Sequence, residues 1–109
     1  MGFLIVTSVC VESSMPSDFL FNKSISKFFS EIISSFDFII SNILLDTHRE
    51  LASNYARLLV PGGLLLLSGL LGHQKKELFE FILPLGFVSL ESKNYQEWAS
   101  YLFVKREDK

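Results

Sequence analysis

The side chain best placed for ligand chemistry is that of Asn42, which follows the apolar run Phe38-Ile39-Ile40. Such a run predicts a strand covered on both faces, as in a parallel sheet. In open α/β sheets, ligands bind outside the carboxyl ends of the strands, so an amide at that end is a candidate site residue. A strand-end cap or turn residue would also suit this position, and spacing alone leaves both interpretations open.

The remaining polar candidates carry weaker signals. His48 could act as a general base, but it falls in a predicted first helical turn without a carboxylate partner, which favours a solvated surface histidine. His73 precedes a helix and has the same interpretation. Neither histidine stands to Asp46 or Glu77 in the spacing of a zinc site such as H-E-x-x-H, so no metal site is predicted. Ser68 lacks the Gly-x-Ser-x-Gly context of a nucleophile.

Composition excludes several classes of protein. The 109 residues carry a net charge of -2, which argues against a broad nucleic-acid-binding surface. Trp98 and Tyr101 are therefore interpreted as core or sheet-face aromatics and not as a base-stacking platform. Cys10 is the one cysteine, which excludes an intrachain disulfide and a cysteine-based zinc site. Apolar runs fall short of the ~20 residues of a membrane span, and we expect a cytoplasmic protein.

Strand and helix patterns alternate along the first half of the chain. Residues 3–12 are apolar and β-branched and predict a strand, whereas residues 24–35 have the apolar spacing of a helix that packs on a sheet. After the strand at Phe36, Thr47 and Glu50 fit a capping box, with Asp46 as the alternative N-cap. The helix should end before Pro61. Its predicted buried stripe is Leu51, Tyr55, Leu58 and Leu59.

The second half predicts a strand over residues 64–67, broken by Ser68-Gly69 at the ligand-binding edge. A helix with apolar Leu78, Phe81, Ile82 and Leu85 follows, shortened by Pro84 and ended by Gly86. Strands at 88–91 and 98–104 are joined by a short polar turn over 92–96. Strand-helix-strand units imply parallel pairing, and a short loop implies antiparallel pairing. The predicted fold is therefore α/β, with a mostly parallel sheet that ends in an antiparallel hairpin.

Five short motifs resemble the carboxyl half of the bacterial ribosomal protein L11 methyltransferases (PrmA). In order they are FDFIISNIL at 36–44, LLVPGG at 58–63, LSGLL at 67–71, LGF at 85–87 and EWA at 97–99. The similarity covers residues 36–105 and implies a three-layer, Rossmann-like sheet of the class I methyltransferases. It also implies that residues 1–109 form a single truncated catalytic domain, in which residues 1–35 are a divergent strand and helix.

Site assignments follow from this resemblance. It implies S-adenosylmethionine as the methyl donor and an amino group of a ribosomal protein as the acceptor. It assigns Asn42 to catalysis and to cofactor binding, and Ile43 and Leu44 to substrate binding. Methyl transfer is an in-line displacement, and a side-chain carbonyl can accept a hydrogen from the amine and aim its lone pair without competing as a nucleophile.

Two parts of the family pattern have no counterpart in this sequence, namely the glycine-rich donor loop and the acidic residue that holds the ribose. The chain has no Gly-x-Gly, and Gly2 is the one glycine among the first thirty-five residues. We therefore expect the isolated chain to be inactive, as the product of a truncated or split reading frame. The alternative is a non-catalytic half-domain that forms a homodimer or pairs with a separately encoded N-terminal half. Its basis is the strand at Phe36, which would lie at an open edge if the fold's first strand were missing.

Overall fold

The computed structural model describes residues 2–7 and 35–107, and all structural statements below concern these residues. They form five strands and two α-helices. The elements are β1 (Phe3–Thr7), β2 (Phe36–Asn42), α1 (Leu45–Leu58), β3 (Leu59–Leu71), α2 (Lys75–Ile82), β4 (Phe87–Tyr95) and β5 (Trp98–Lys105). The predicted helix over residues 24–35 and the end of the predicted first strand lie outside the described residues.

The five strands form one mixed sheet in the order β1-β2-β3-β5-β4. β1, β2 and β3 pair in parallel, and β5 pairs antiparallel with both β3 and β4. This confirms the predicted α/β class and the antiparallel hairpin. The expected open edge at the Phe36 strand is wrong, because Phe3–Thr7 pairs with it and satisfies its backbone groups.

β3 is longer than the predicted strand at 64–67. Antiparallel pairing with β5 extends it to Leu71, and Ser68-Gly69 forms an irregularity within the strand instead of its end. Gly69 has a φ of +83°, which a residue without a side chain adopts without strain. The bulge therefore replaces the predicted break while keeping both residues at the carboxyl end of the parallel strands.

Helix α1 begins earlier than predicted. Leu44 is the N-cap residue, and its carbonyl accepts hydrogen bonds from the amides of Thr47 and His48 at 3.1 and 3.0 Å. Leu44 has no side-chain capping bond, and Asp46 instead pairs with Arg49 at 2.8 Å. The predicted Thr47 and Asp46 caps are wrong because both residues already lie within the helix.

Local signals in the second half correspond well to the structure. Helix α2 ends at Ile82 and continues as a 3₁₀ turn containing Pro84, and Gly86 has a φ of +101°, as its predicted role in the left-handed helix end requires. The final hairpin is tighter than predicted. Pairing between Tyr95 and Trp98 leaves a two-residue connection where a turn over 92–96 was expected.

The hydrophobic core lies between the two helices and one face of the sheet. The predicted α1 stripe of Leu51, Tyr55, Leu58 and Leu59 is buried, although Leu59 belongs to β3. Phe79 of α2 packs edge-on against Tyr101 and Phe103 of β5, with ring centroids 5.6 Å apart in both pairs. The second face of β2 is only partly covered, unlike the two-sided burial that its sequence predicted. No described helix combines the length and apolar character needed to cross a membrane.

Lys105 joins the last strand to the end of α1. Its ammonium group donates hydrogen bonds to the carbonyl oxygens of Ala56, at 2.5 Å, and Leu59, at 2.8 Å. The last carbonyls of a helix have no partner within the helix, and they lie at the negative end of its dipole. A partly buried ammonium therefore stabilises this junction between helix and sheet.

Replacing Lys105 by Met should lower the free energy of unfolding by about 1–3 kcal/mol, since two charge-assisted bonds are lost while the aliphatic stem is kept. Chemical denaturation measures this change. Lys76→Met, on the exposed side of α2, is the matched control and should stay within about 0.5 kcal/mol of the parent. Equal losses in the two variants would contradict the proposed role of Lys105.

Candidate functional site at the carboxyl ends of β2 and β3

Asn42 is the last residue of β2 and lies in register with Ser68 of β3. The Ser68 hydroxyl donates a hydrogen bond to Oδ1 of Asn42 at 3.1 Å. An amide oxygen has two lone pairs, so this bond orients the side chain and leaves one acceptor position available. Asn42 is exposed to solvent, as a residue that meets a ligand must be.

An open pocket of about 420 Å³ surrounds this amide. Its lining includes Asn42, Ile43 and Leu44, the three residues assigned by resemblance, together with Ser68, Gly69, Trp98 and Ala99. A second cavity of about 210 Å³ adjoins it at Leu44 and Trp98. The structure therefore brings the three assigned residues together at one pocket. Whether they act on a ligand there stays a prediction.

Gly69 allows the two strand ends to approach closely. A Cβ atom at this position would lie 2.5 Å from the carbonyl oxygen of Ile43 and 2.9 Å from Oδ1 of Asn42. Neither distance is compatible with a side chain. The bulge in β3 thus packs directly against the segment that follows Asn42 and fixes the floor of the pocket.

The interpretation of His48 as a solvated surface residue is wrong. Its side chain is fully buried beneath the pocket, with 0% exposure. One ring nitrogen, Nε2, lies 2.9 Å from the carbonyl oxygen of Ser68, and the other, Nδ1, lies 3.0 Å from the hydroxyl of Tyr55. The Tyr55 hydroxyl in turn lies 2.7 Å from Oγ of Ser41. Four residues from α1, β2 and β3 therefore form one buried chain of hydrogen bonds.

The chemistry of these groups determines which atom donates in each of these hydrogen bonds. A carbonyl oxygen only accepts, so Nε2 of His48 carries the hydrogen and Nδ1 of the neutral ring is an acceptor. Tyr55 therefore donates to His48, and Ser41 donates to Tyr55. Burial lowers the pKa of His48 from 6.5 to about 4, although hydrogen bonds to the backbone of Ser68 and Ile43 act in the opposite direction. Burial also raises the pKa of Tyr55, so both groups are neutral at pH 7.

The sequence did contain a signal for the buried histidine. His48 precedes Leu51, Tyr55 and Leu58 at helical spacing, so it lies on the same stripe of α1 as the predicted core residues. His48 was predicted to be solvated because it falls in a first helical turn without a carboxylate partner, and that prediction overlooked this periodicity. Trp98 was also missed as a pocket residue: it is 46% exposed at the start of β5, whereas Tyr101 is buried, as predicted.

Of the other candidates, Ser68 lines the pocket, whereas His73 is not among its lining residues. His73 is exposed, as predicted, in the short 3₁₀ turn before α2. Among residues 2–7 and 35–107, no group of three or more His, Cys, Asp or Glu side chains is arranged to hold a metal ion. Ser68 contributes two hydrogen-bonding groups. Its hydroxyl donates to Asn42, and its backbone carbonyl accepts from His48.

The buried histidine should make stability depend on pH between about 6.5 and 4. The unfolded chain binds a proton at His48 near pH 6.5, whereas the folded chain resists protonation down to about pH 4. Acidification therefore favours unfolding, and the contribution of His48 at pH 7 is lost progressively across this interval. The loss should be on the order of 3 kcal/mol, measured as the free energy of unfolding at a series of pH values.

His48→Gln should be less stable at pH 7 and should lose most of this pH dependence. His73→Gln, which changes an exposed histidine, is the matched control and should keep the parent profile. A parent chain whose stability is constant between pH 6.5 and 4.5 would show that His48 is not held in its neutral form.

Comparison with known proteins assigns this chain to a family. A family model described as ribosomal protein L11 methyltransferase (PrmA) matches residues 17–106, beginning upstream of the motifs noted above. The ribosomal protein L11 methyltransferase of Hydrogenovibrio crunogenus is 36% identical over 84 residues, which cover 77% of this chain and 28% of that protein. The chain spans about a quarter of the length of the curated relatives it matches.

Two crystal structures have a similar fold. The ribosomal protein L11 methylase of Lactobacillus delbrueckii subsp. bulgaricus superposes with a TM-score of 0.68 at 18% identity, over 72% of this chain and 41% of that one. M1.HpyAVI in complex with SAM gives a TM-score of 0.62 at 17% identity, over 98% of this chain and 58% of that one. With a family match over most of its length and a methyltransferase-like sheet, the chain belongs to the ribosomal protein L11 methyltransferase (PrmA) family.

Proposed function

We propose that this chain supplies the acceptor side of an S-adenosylmethionine-dependent methyltransferase site that modifies amino groups of a ribosomal protein. The observation that carries the proposal is the exposed amide of Asn42 in the pocket at the carboxyl ends of β2 and β3. Family membership supports the substrate class. A ribosomal target would place the protein in the cytoplasm.

Asn42 would position the amine. The Ser68 hydroxyl occupies one lone pair of Oδ1, so the other can accept a hydrogen from the incoming amine. This bond aims the nitrogen lone pair without transferring a proton. The rate gain from such a group comes from orientation, and the rigid bulge beneath Asn42 limits how far the amide can move.

The pocket lining favours a neutral amine. All seven lining residues are uncharged, and Ile43, Leu44 and Trp98 are apolar. A setting of low polarity disfavours the charged form of an amine and lowers its pKa. Only the neutral amine has a free lone pair, so this lining supports nucleophilic attack at ordinary pH.

The residues of the pocket fit the reacting end of the donor but not the whole of it. When bound, S-adenosylmethionine supplies an electrophilic methyl group on a sulfonium. Asn42 and the apolar residues beside it can line that end, whereas the described residues provide no glycine-rich loop at the end of β1. We propose that most contacts to the donor come from outside residues 2–7 and 35–107, and that the 109-residue chain alone transfers no methyl group.

Asn42 can be tested in an active context. In a chimera, residues 36–105 of this chain replace the matching segment of the Hydrogenovibrio crunogenus relative, and transfer of labelled methyl groups to ribosomal protein L11 is measured. Asn42→Ala should lower the transfer rate about tenfold to a thousandfold, the cost of losing one positioned polar group.

Asn94→Ala, on the exposed part of β4, is the matched control and should keep the rate of the chimera. An unchanged rate for Asn42→Ala would remove Asn42 from the site.

Donor binding by the chain itself gives an independent test. Calorimetric titration of the folded 109-residue chain with S-adenosylmethionine and with S-adenosylhomocysteine should show no saturable binding, because its sequence contains no Gly-x-Gly donor loop. Saturable binding of either compound by the parent chain would contradict this expectation, and repetition with Asn42→Ala would show whether Asn42 takes part in it.

A further inference from the structure

The strand β3 is irregular at Ser68, the residue whose hydroxyl orients the amide in the pocket. The register with β5 shifts between Leu67 and Leu70, so the ladder is interrupted at this point. On the β2 side, the amide of Ile43 lies 3.3 Å from the Ser68 carbonyl oxygen, which is longer than a usual N–H···O bond. Nε2 of His48 lies 2.9 Å from the same oxygen, at the usual distance. The shorter of these two contacts therefore comes from a side chain and not from the sheet.

The buried chain of hydrogen bonds begins and ends beside Asn42. Ser41 precedes Asn42 in β2, and Ser68 is in register with Asn42 in β3. The buried hydrogen bonds run from Ser41 to Ser68, so they join the two residues that adjoin Asn42. The Ser68 hydroxyl completes the path, because it donates to Oδ1 of Asn42. A shift of the Ser68 backbone would therefore move the hydroxyl that orients the amide.

Tyr55 determines which nitrogen of His48 carries the hydrogen. In a neutral imidazole, the hydrogen bond at one nitrogen sets the state of the other. The Tyr55 hydroxyl lies 3.0 Å from Nδ1 and donates to it, which leaves the hydrogen on Nε2, opposite the Ser68 carbonyl. The same hydroxyl lies 2.7 Å from Oγ of Ser41. Tyr55 is fully buried between these partners, so its hydroxyl is held in the orientation that selects this form of the ring.

We propose that His48 and Tyr55 are positioning residues for methyl transfer. They hold the backbone of Ser68, whose hydroxyl keeps Oδ1 of Asn42 aimed at the acceptor amine. Both side chains are fully buried and lie outside the pocket lining, so they act through Asn42 and not on the substrate. An amide that rotated away from Ser68 would present its NH₂ group, which cannot accept a hydrogen from the amine. This proposal rests on the function proposed for Asn42.

A double-mutant cycle in the chimera described above tests the proposal. Tyr55→Phe should lower kcat for methyl transfer about threefold to thirtyfold, because the amide loses its fixed orientation. KM for ribosomal protein L11 should stay nearly unchanged, since the pocket lining is intact. In an Asn42→Ala background, Tyr55→Phe should have little further effect on kcat, because both changes act through one amide. Tyr101→Phe also removes a buried phenol hydroxyl and is the matched control, which should keep kcat in both backgrounds.

NMR spectroscopy of the 109-residue chain gives a measurement that does not depend on activity. The ring nitrogen shifts of His48 should identify the form with hydrogen on Nε2 at pH 7. The side-chain amide signals of Asn42 should change in Tyr55→Phe and stay the same in Tyr101→Phe. His48→Gln keeps an N–H donor, whereas His48→Leu fills the space without one. The Asn42 signals should therefore be closer to those of the parent in His48→Gln than in His48→Leu.

The cycle separates failure of this proposal from failure of the proposed function. An unchanged kcat in Tyr55→Phe, with Asn42→Ala still impaired, would overturn the positioning role and leave the function of Asn42 in place. Additive effects of the two changes would also overturn it, because a general loss of stability acts independently of Asn42. An unchanged kcat in Asn42→Ala would contradict the proposed function and this proposal with it.

The spectra decide the matter even if Tyr55→Phe does not fold. Hydrogen on Nδ1 of His48 in the parent chain would overturn the proposal, since Nε2 could then not donate to the Ser68 carbonyl. Equal changes of the Asn42 signals in His48→Gln and His48→Leu would overturn it as well, because the donor of His48 would then be irrelevant to the amide.

Discussion

The carbonyl oxygen of Ser68 is the point on which the site depends. It accepts hydrogen bonds from Nε2 of His48 at 2.9 Å and from the amide of Ile43 at 3.3 Å. One atom of β3 is thus joined to the segment that carries Asn42 and to the first turn of α1. Because these groups are buried, each would carry the full cost of desolvation if its partner moved. The end of β2, the bulge of β3 and the start of α1 are therefore held in one arrangement.

A neutral histidine is what makes this arrangement possible. In the neutral ring one nitrogen donates and the other accepts, which suits a position between a carbonyl and a hydroxyl. The buried polar chain is complete, and no buried side-chain nitrogen or oxygen among the described residues lacks a partner. Its role is to support the pocket from below. The group that we propose faces a ligand is Asn42. It is next to Ser41 in β2 and accepts a hydrogen bond from Ser68, so the buried hydrogen bonds are connected to it at both residues.

The two sides of the sheet have different consequences for function. On the helical side, aromatic and aliphatic packing fixes the strands and hence the position of their carboxyl ends. On the other side, the apolar residues Ile40 and Leu66 are in register, and the Asn42–Ser68 pair lies two residues further along the same face.

The sequence by itself determined the local elements and the position of Asn42. Helical spacing identified the buried stripe of α1, Gly86 marked a helix end, and the apolar run before Asn42 placed an amide at the carboxyl end of a strand. These features depend on residues near one another in the chain, whose periodicity and backbone preferences are local properties. The family motifs could be identified for the same reason, because each is a short continuous segment of the chain.

Tertiary structure determined the contacts between segments that are far apart in the sequence. Sequence alone could not show that Phe3–Thr7 covers the Phe36 strand, because strand pairing depends on contacts more than thirty residues apart. It also could not show that β5 would extend β3 through Gly69, or that Leu44 would replace Thr47 as the helix cap. His48 is the clearest case. Its neutral, buried state requires the carbonyl of Ser68 and the hydroxyl of Tyr55 together, and only the packing of α1 on the strand ends brings them to the same ring.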